Sequence, residues 1–355
     1  MSTTTTIQWT DRTWNPVRGC SLVSAGCANC YAMKQAHRFS GAGQPYAGLT
    51  ELGPHGPRWT GTIRLVPEVL DEPLRWKKPE KIFVNSMSDL FHHDVPDDFI
   101  ERVFAVMAIA RRHTFQILTK RPERMLRFCQ SLTFERLIER ANQNVYGGEH
   151  GPGTYNLAST NGRSTKERFV CYGEKSAHWP MSKPLLPNVH LGVSIEDQPT
   201  ADARIPILLQ TPAAVRFVSY EPALGAVSLS AFWDQFPDCG PPCFTCTPPC
   251  NAVVRDCAHT PRASLDWVII GGESGPGARP CDLDWIRSIV QQCRAAGVPC
   301  FIKQLGARPY DESLWKCLIG DTNKEFNDQI RVRLKDKKGG DISEFPADLQ
   351  VRQFP

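Results

Sequence analysis

The chain repeats one pattern, in which a short apolar run ends in polar or glycine-rich residues and leads into a segment with helical spacing of its apolar residues. The runs are KIFVNSMSD (81–89), TFQILTK (114–120), VHLGVSIED (189–197), VRFVSYEP (215–222), LDWVIIGGESGPGARP (265–280) and VPCFIKQLG (298–306). Pro96 and Pro122 fall near the starts of two helical segments, and Gly297 falls at the end of another. Strands that are apolar throughout and separated by helices predict a parallel sheet covered on both faces.

The apolar runs end in polar side chains that can carry chemistry. These side chains are Ser86, Ser88, Asp89, Thr119, Lys120, Ser194, Glu196, Tyr220, Glu221, Glu273, Lys303 and Gln304. Because the carboxyl ends of the strands in a (β/α) barrel converge on one mouth, these polar ends favour a barrel over a doubly wound sheet. With an early strand near the N-terminal cysteines there are six or seven βα units. We therefore expect an α/β fold, a partial or complete TIM-like (β/α) barrel over residues 1–306.

Two stretches interrupt this pattern. Residues 130–188 are polar and glycine-rich and predict a long insertion over the surface. Residues 236–262 are rich in proline and cysteine, so no regular helix or strand is expected there and something other than a core must hold the segment. Residues 307–355 have weak periodicity and are interpreted as a peripheral C-terminal extension.

Charge and hydropathy narrow the choice of partners and compartment. The 355 residues include 41 Lys and Arg and 37 Asp and Glu, a formal net charge of +4, so no strong global field indicates a nucleic-acid or membrane partner. The segment MSTTTTIQWTDRTW lacks the basic and apolar regions of a signal peptide, and no window approaches the length of a spanning helix. We expect a cytoplasmic protein with no membrane partner, whose 14 cysteines bind metal, do redox work or fill the core.

Three cysteines cluster near the N-terminus, in the segment GCSLVSAGCANCYAMKQAH (19–37). Thiolates are ligands of zinc and of iron–sulfur clusters. A 4Fe-4S cluster held by Cys20, Cys27 and Cys30 would leave one iron open to a small molecule, whereas a structural zinc site needs four ligands and would be completed by His37. Buried cysteines without a ligand are the third interpretation.

A second group of potential ligands lies in the insertion at 236–262. It consists of Cys239, Cys243, Cys246, Cys250, Cys257 and His259. These are more than the four ligands that a zinc knuckle requires, and zinc is the leading interpretation. An auxiliary iron–sulfur cluster and loop cysteines without metal are the alternatives.

Several stretches together carry a family resemblance that covers most of residues 7–306. They are IQWTDRTWNPVRGC, CANCYA, VNSMSDLFH, FQILTKRPERM, LGVSIEDQ, RFVSYEPALG, LDWVIIGGESGPGARP and FIKQLG. The set resembles a phage-associated family that carries three N-terminal cysteines and is itself similar to the radical S-adenosylmethionine (SAM) superfamily. More distantly, the chain is similar to spore photoproduct lyase, in which a serine/threonine-aspartate corner follows the second strand and a threonine-lysine stretch follows the third.

The resemblance implies a radical-SAM-type barrel in which Cys20, Cys27 and Cys30 hold a 4Fe-4S cluster with Tyr31 beside it. One electron from the cluster would cleave SAM to a 5′-deoxyadenosyl radical, which implies an electron donor of the flavodoxin or ferredoxin type. The residues that it places at the cofactor are Ser86, Ser88 and Asp89 at the methionine end and Thr119, Lys120, Ser194 and Glu196 at the carboxylate and ribose. The first cysteine gap is longer than the common C-x3-C, and no counterpart of the lyase's hydrogen-donating cysteine is found. We therefore do not expect lesion repair specifically.

The expected substrate is a nucleic acid or a nucleotide-derived molecule. Lys120, Arg121 and Arg124 make a basic neighbourhood after the third strand, which would suit a phosphodiester. In GGESGPGAR (271–279), backbone N–H groups could cradle a phosphate or carboxylate, with Arg279 adding charge. The residues proposed for substrate contact or proton transfer are Tyr220, Glu221, Glu273 and Lys303.

Two other functions fit the same residues. One is a zinc-stabilised protein that binds nucleic acid without radical chemistry, with zinc in both cysteine groups. The other is a metal-dependent nuclease that uses four carboxylates. These are Asp89, Glu196, Glu221 and Glu273.

Overall fold

The computed structural model describes residues 5–54, 56–133, 135–137, 139–141, 186–233, 264–311 and 331–355. The chain divides into two units: Met1–Gly192 with Thr211–Ala214, and Val193–Gln210 with Val215–Pro355. Most of the predicted insertion at 130–188 lies outside the described residues, as does the whole of the cysteine-rich insertion at 236–262. The six candidate zinc ligands in the latter therefore stay a prediction.

The strands in chain order are β1 (Arg12–Trp14), β2 (Val17–Arg18), β3 (Thr50–Gly53), β4 (Gly56–Trp59), β5 (Arg64–Leu65), β6 (Lys81–Val84), β7 (Thr114–Thr119), β8 (Val189–Ile195), β9 (Val215–Tyr220), β10 (Trp267–Gly271), β11 (Cys281–Asp282), β12 (Cys300–Gln304) and β13 (Pro309–Tyr310). The α-helices are α1 (Tyr31–His37), α2 (Glu72–Arg75), α3 (Asp97–Ile109), α4 (Pro122–Ser131), α5 (Gln198–Gln210), α6 (Ser230–Trp233) and α7 (Leu283–Ala296).

Seven of these strands form one sheet in the order β1-β6-β7-β8-β9-β10-β12. The ladders between β1 and β6, β6 and β7, β9 and β10, and β10 and β12 are parallel. Neighbouring strands follow one another in chain order with no reversal, which is the order of a (β/α) barrel and not of a doubly wound sheet. The strand order therefore confirms the prediction of an α/β fold related to a partial barrel.

The smaller sheets are β2 with β5, β3 with β4, and β11 with β13. In the first unit, α1 packs on the β3–β4 hairpin through a core of five buried residues. They are Ala32, Met33, Ala36, Leu49 and Trp59. Cys20 and Cys30 are half-buried against this core, so the predicted cysteine site begins on a packed surface.

The prolines and the glycine that were predicted to mark helix ends do so in the structure. Pro96 is the N-cap of α3 and Pro122 is the first residue of α4, where a missing N–H costs no helical hydrogen bond. Gly297 ends α7 with a φ of 66°, a left-handed conformation that glycine adopts without strain. Ile82 and Val84 of β6 are fully buried, as are Ile269 and Ile270 of β10. The continuous apolar runs are thus strands with both faces covered.

None of the helices in the described ranges has the length and apolarity that crossing a bilayer requires.

Candidate functional site

The segment that carries the cysteines is fastened to the carboxyl end of β6. Gly19 pairs with Ser88 in a parallel bridge, and Ser88 Oγ donates to Val17 O at 2.7 Å. Ser86 Oγ donates to Asn15 Oδ1 at 3.2 Å. Both serine hydroxyls that were predicted to contact the cofactor therefore hydrogen-bond within the chain. Their observed role is to fix the cysteine segment against the strand end.

Gly19 is required at its position, directly before the first cysteine. Its φ is +89°, and a Cβ there would lie 2.1 Å from the backbone oxygen of Thr62. Only glycine permits this close approach of two backbones. Gly19 therefore fixes the backbone conformation with which the cysteine segment begins.

Cys27 ends a short 3-10 turn, and Cys30 is the N-cap of α1. The next residue, Tyr31, donates its hydroxyl to Ser86 O at 2.6 Å, and its ring is about half exposed at 49%. This contact links the start of α1 to the β6 end. The predicted neighbour of the cluster is thus on the same surface as the cysteines, with part of its ring open to a ligand.

The three cysteines are free thiols, and two of them act on the ionisation of a neighbour: Cys27 on Cys20 and Cys30, and Cys30 on Cys20. Burial raises the pKa of the Cys20 thiol to about 12, and the nearby Asp89 carboxylate adds to the effect. Burial also raises the pKa of the Cys30 thiol. In the metal-free protein both are therefore protonated at neutral pH, and binding of a metal would release their protons.

Asp89 is the centre of the polar network beside the cysteines. Its side chain is 7% exposed and accepts four hydrogen bonds. The donors are Phe91 N at 2.9 Å, Thr119 Oγ1 at 2.8 Å, Lys120 N at 3.2 Å and Arg121 Nη1 at 2.7 Å. With its oxygens committed in this way, Asp89 joins the ends of β6 and β7 and orients the guanidinium of Arg121.

Arg121 extends this network to the cysteine segment. Its Nη2 donates to Ser21 Oγ at 2.8 Å, and its positive charge acts on the Cys20 thiol in opposition to Asp89. Ser21 Oγ lies 2.7 Å from His92 Nε2, and Asp94 N donates to His92 Nδ1 at 3.3 Å. Because Nδ1 accepts, Nε2 carries the proton and donates to Ser21. Burial lowers the pKa of His92 to about 4, which keeps the ring neutral at neutral pH.

The spacing of the donor atoms bears on which metal group would fit. A tetrahedral zinc at about 2.3 Å from each thiolate brings its ligand atoms to within about 4 Å of one another. Among the described residues, the group whose ligand atoms all lie within 4.8 Å is His92, His93 and Asp94, and the three cysteines do not form such a group. His37 instead contacts Thr50, with Nδ1 and Oγ1 3.1 Å apart. The three thiols are thus spread more widely than the ligands of a single tetrahedral zinc ion.

In the second unit, Glu221 and Lys303 form an ion pair at the ends of β9 and β12, with 3.0 Å between Oε1 and Nζ. Their side chains are 14% and 22% exposed. Ser219 Oγ donates to Glu221 Oε2 at 3.2 Å, and Ser194 Oγ donates to Glu221 O at 3.2 Å. A Cβ on Gly271 would lie 2.4 Å from Glu221 Oε1, so glycine makes room for the carboxylate. This pair lies at a surface that solvent reaches.

The other predicted residues of this unit have internal partners. Glu196 is fully buried and pairs with Arg204 at 3.0 Å, and Glu273 pairs with Arg279 at 2.7 Å. Tyr220 is fully buried and donates its hydroxyl to Gly225 O. Burial raises the pKa of this phenol well above its ordinary value, so it stays protonated. The three side chains thus have partners within the second unit, and their roles at a cofactor or substrate stay predictions.

The structure thus divides the predicted site residues between the two units. The first unit holds Cys20, Cys27, Cys30, Tyr31, Ser86, Ser88, Asp89, Thr119 and Lys120. The second holds Ser194, Glu196, Tyr220, Glu221, Glu273 and Lys303. Sequence reasoning gave no site role to Ser21 and His92 and assigned Arg121 only to a basic neighbourhood. The signals that could have found them are the position of Ser21 next to Cys20 and of His92 in the same corner as Asp89.

Fold and site together define an α/β protein with a parallel sheet and three free thiols fastened to a strand end. The chain belongs to the family DUF5131, described as a protein of unknown function, whose model matches residues 4–342. No curated protein and no solved structure matches the chain.

Proposed function

We propose that the protein is a radical SAM enzyme in which Cys20, Cys27 and Cys30 hold a 4Fe-4S cluster. The observation that carries this proposal is the donor set itself. Three free thiols lie on one surface beside the β6 end, and the part of the chain that the structure describes offers no fourth ligand at zinc distance. Three protein ligands leave one iron open for the amino and carboxylate groups of SAM.

Two cations near the thiols favour an anionic group, whereas the Asp89 carboxylate acts against a thiolate at Cys20. A cluster with three thiolates carries net negative charge, and the cations that act electrostatically on the cysteines are Arg121, on Cys20, and Lys120, on Cys30. Asp89 holds Arg121 in place, as its salt bridge of 2.7 Å shows. An isolated metal-free thiol gains nothing from this arrangement, whereas an iron-bound thiolate is stabilised by it.

When bound, the cluster supplies the electron that cleaves a carbon–sulfur bond of SAM. The chain's own contribution is to bind and orient the cofactor. Asn85, which follows β6 with a φ of 58°, is 2% exposed, and its Nδ2 is buried without a hydrogen-bond partner. This donor lies next to Ser86 and would bind a carboxylate. Thr119 and Asp89 act on the cofactor indirectly, by fixing Arg121.

For the substrate, we propose a nucleic acid or nucleotide-derived molecule, with Glu221 and Lys303 as the proton-transfer pair. They are the predicted catalytic residues that keep exposed surface while facing each other. The proposal includes a flavodoxin- or ferredoxin-type electron donor, zinc in the insertion at 236–262, and a cytoplasmic location.

The test is formation of 5′-deoxyadenosine from SAM by anaerobically purified, chemically reduced protein. The wild type should form it, and Cys27→Ala should not. Cys129→Ala is the matched control, because Cys129 is a buried cysteine of α4 outside the donor set, and this variant should stay active. If wild-type protein is colourless, holds only zinc at the N-terminal cysteines and leaves SAM intact, the proposal is wrong, and salt-sensitive nucleic-acid binding would favour the zinc-stabilised alternative.

A further inference from the structure

A cavity of about 520 Å³ lies in the second unit, beside the segments that follow β10 and β12. Its wall includes Gly275 and Pro276 after β10, Gly306 after β12, and the segment 331–337. Ligand cavities in proteins commonly have volumes of about 300–1,000 Å³. The cavity is therefore large enough for one nucleotide unit, and it lies where parallel sheets usually bind ligands.

The segment 331–340, RVRLKDKKGG, is fixed on this wall. Leu305 N donates to Gly339 O at 2.7 Å, and Arg352 Nη2 donates to Gly340 O at 2.8 Å. Gly339 approaches Gly306 so closely that a Cβ on it would lie 2.4 Å from Gly306 O. The backbone that carries the basic side chains is thus fixed to the rest of the unit at Gly339 and Gly340.

The two carboxylates near the segment accept hydrogen bonds from its backbone N–H groups. Asp336 accepts from Lys338 N at 3.1 Å and from Gly340 N at 2.7 Å, and these bonds lower the pKa of its carboxyl. Glu344 accepts from Lys335 N at 2.6 Å and from Asp336 N at 3.2 Å. Neither carboxylate forms a salt bridge with a cation of the segment among the described residues.

The cations of the segment are exposed and alternate with half-buried residues. The exposed ones are Arg331, Arg333, Lys335, Lys337 and Lys338. In the described ranges none of them pairs with a carboxylate, and Arg331 donates to the backbone oxygen of Ala307 at 3.1 Å. Val332 and Leu334 lie between them and also line the cavity. A positively charged groove is the feature with which proteins hold the phosphate backbone of a single strand.

Part of the cavity wall is the glycine-rich loop after β10, at Gly275 and Pro276. Gly275 has a φ of +88°, and a Cβ on it would meet nothing within 4 Å, so there is open space beside this residue. The expectation that Arg279 adds a free charge to this loop is not met. Its guanidinium contacts both oxygens of Glu273, at 2.7 and 3.1 Å. The charge for an anion comes from the segment 331–337 instead.

We propose that this cavity binds the phosphodiester backbone of a single-stranded nucleic acid, with Arg331, Arg333 and Lys337 on the phosphates and Val332 and Leu334 against a base or sugar. This inference rests on the proposed function for one point only, that the substrate is a nucleic acid. Binding of the phosphodiester backbone itself needs neither the cluster nor SAM.

The test is fluorescence anisotropy with a labelled single-stranded DNA of about 15 nucleotides, using anaerobically purified full-length protein without added SAM in about 50 and 200 mM NaCl. The triple variant Arg331→Gln, Arg333→Gln, Lys337→Gln should bind at least about 10-fold more weakly than wild type at the lower salt, and its salt slope should fall by about 2. The matched control, Lys77→Gln, Lys78→Gln, Arg127→Gln, makes the same charge change at exposed positions elsewhere and should bind like wild type. Arg333→Gln alone, at an exposed side chain, should lose about 3-fold and guards against misfolding of the triple variant.

Equal losses in the triple variant and the control, or no binding by wild type, would overturn the proposal. Competition by AMP or inorganic phosphate as strong as that by the oligonucleotide would also overturn it, because the site would then take a free phosphate. The iron content of the triple variant should equal that of wild type. If the triple variant loses DNA binding but retains its iron, the proposal for the cavity is supported. This holds even if neither the wild type nor any variant cleaves SAM.

Discussion

Both units place charged side chains at the carboxyl ends of strands, but they use them differently. In the first unit one carboxylate, Asp89, accepts four hydrogen bonds, and the guanidinium that it holds reaches on to Ser21 and Cys20. In the second unit three carboxylates near strand ends each pair with one cation. The pairs are Glu196 with Arg204, Glu273 with Arg279, and Glu221 with Lys303.

The difference indicates what each unit can do. The network of the first unit ends on protonated thiols, which become ligands once a metal removes their protons. The pairs of the second unit neutralise one another and leave the cations of the segment 331–338 without acidic partners in the described ranges. In the function that we propose, the first unit holds the cluster and the second binds the anionic substrate.

The largest effect that we expect concerns the reactivity of Cys20. Its pKa of about 12 means that, at pH 8, far less thiolate is present in the folded metal-free protein than in the unfolded chain. Since three pKa units separate the two states, alkylation should be about 1,000-fold slower in the folded protein. Peptide mass spectrometry after timed iodoacetamide treatment, with and without urea, measures the ratio. Equal rates in both conditions would contradict the burial of this thiol beside Asp89.

The next effect separates the two units directly. Asp89→Ala and Glu196→Ala each leave a largely buried arginine unpaired, and each should lower the free energy of unfolding by about 3 kcal/mol. Only Asp89→Ala should also lower the iron content, because only Asp89 positions a cation at the cysteines. Urea denaturation and iron analysis of both variants test this. Similar iron contents in the two variants would remove the proposed distinction between the units.

Arg121→Gln should have a smaller effect. It removes the cation beside Cys20 and the hydrogen bonds to Ser21, so we expect iron to be released to a chelator several-fold faster, which corresponds to about 1–2 kcal/mol. The control is Arg127→Gln. Arg127 is exposed on α4, the helix that Arg121 caps, and this variant should release iron like wild type. An unchanged rate in Arg121→Gln would show that the network does not stabilise the bound group.

The smallest effect is expected for Glu221→Gln. The pair with Lys303 keeps contact with solvent, so its loss should change the free energy of unfolding by less than about 1 kcal/mol. Iron content and 5′-deoxyadenosine formation without substrate should not change. A large loss of stability on thermal unfolding would indicate that the pair is structural, like Glu196 with Arg204.

The parallel strands and their helices could be predicted because the signals are local. The runs at 114–120 and 189–197 contain β7 and β8, and Pro122 and Gly297 mark helix ends through their own backbone preferences. The grouping of the three N-terminal cysteines could also be predicted, because residues that lie close together in the chain lie close together in space. These inferences needed no knowledge of distant contacts.

The partners of the site residues could not be predicted, because they are set by the packing of separate elements. Arg121 meets Ser21 across 100 positions of the chain, and Tyr31 meets Ser86 across 55. The carboxylates that looked free in the sequence, such as Glu273, are committed to cations whose geometry only the fold determines. The polar strand ends could therefore be located in the sequence, but the sequence did not show which of their side chains are already paired.

The most direct test of the account is the iron, sulfide and zinc content of anaerobically purified wild type beside the triple variant Cys20→Ala, Cys27→Ala, Cys30→Ala. The account predicts about four irons and four sulfides per chain in wild type and none in the variant, with any zinc of the insertion at 236–262 retained. Wild-type protein that holds zinc but no iron, and loses that zinc in the triple variant, would contradict it.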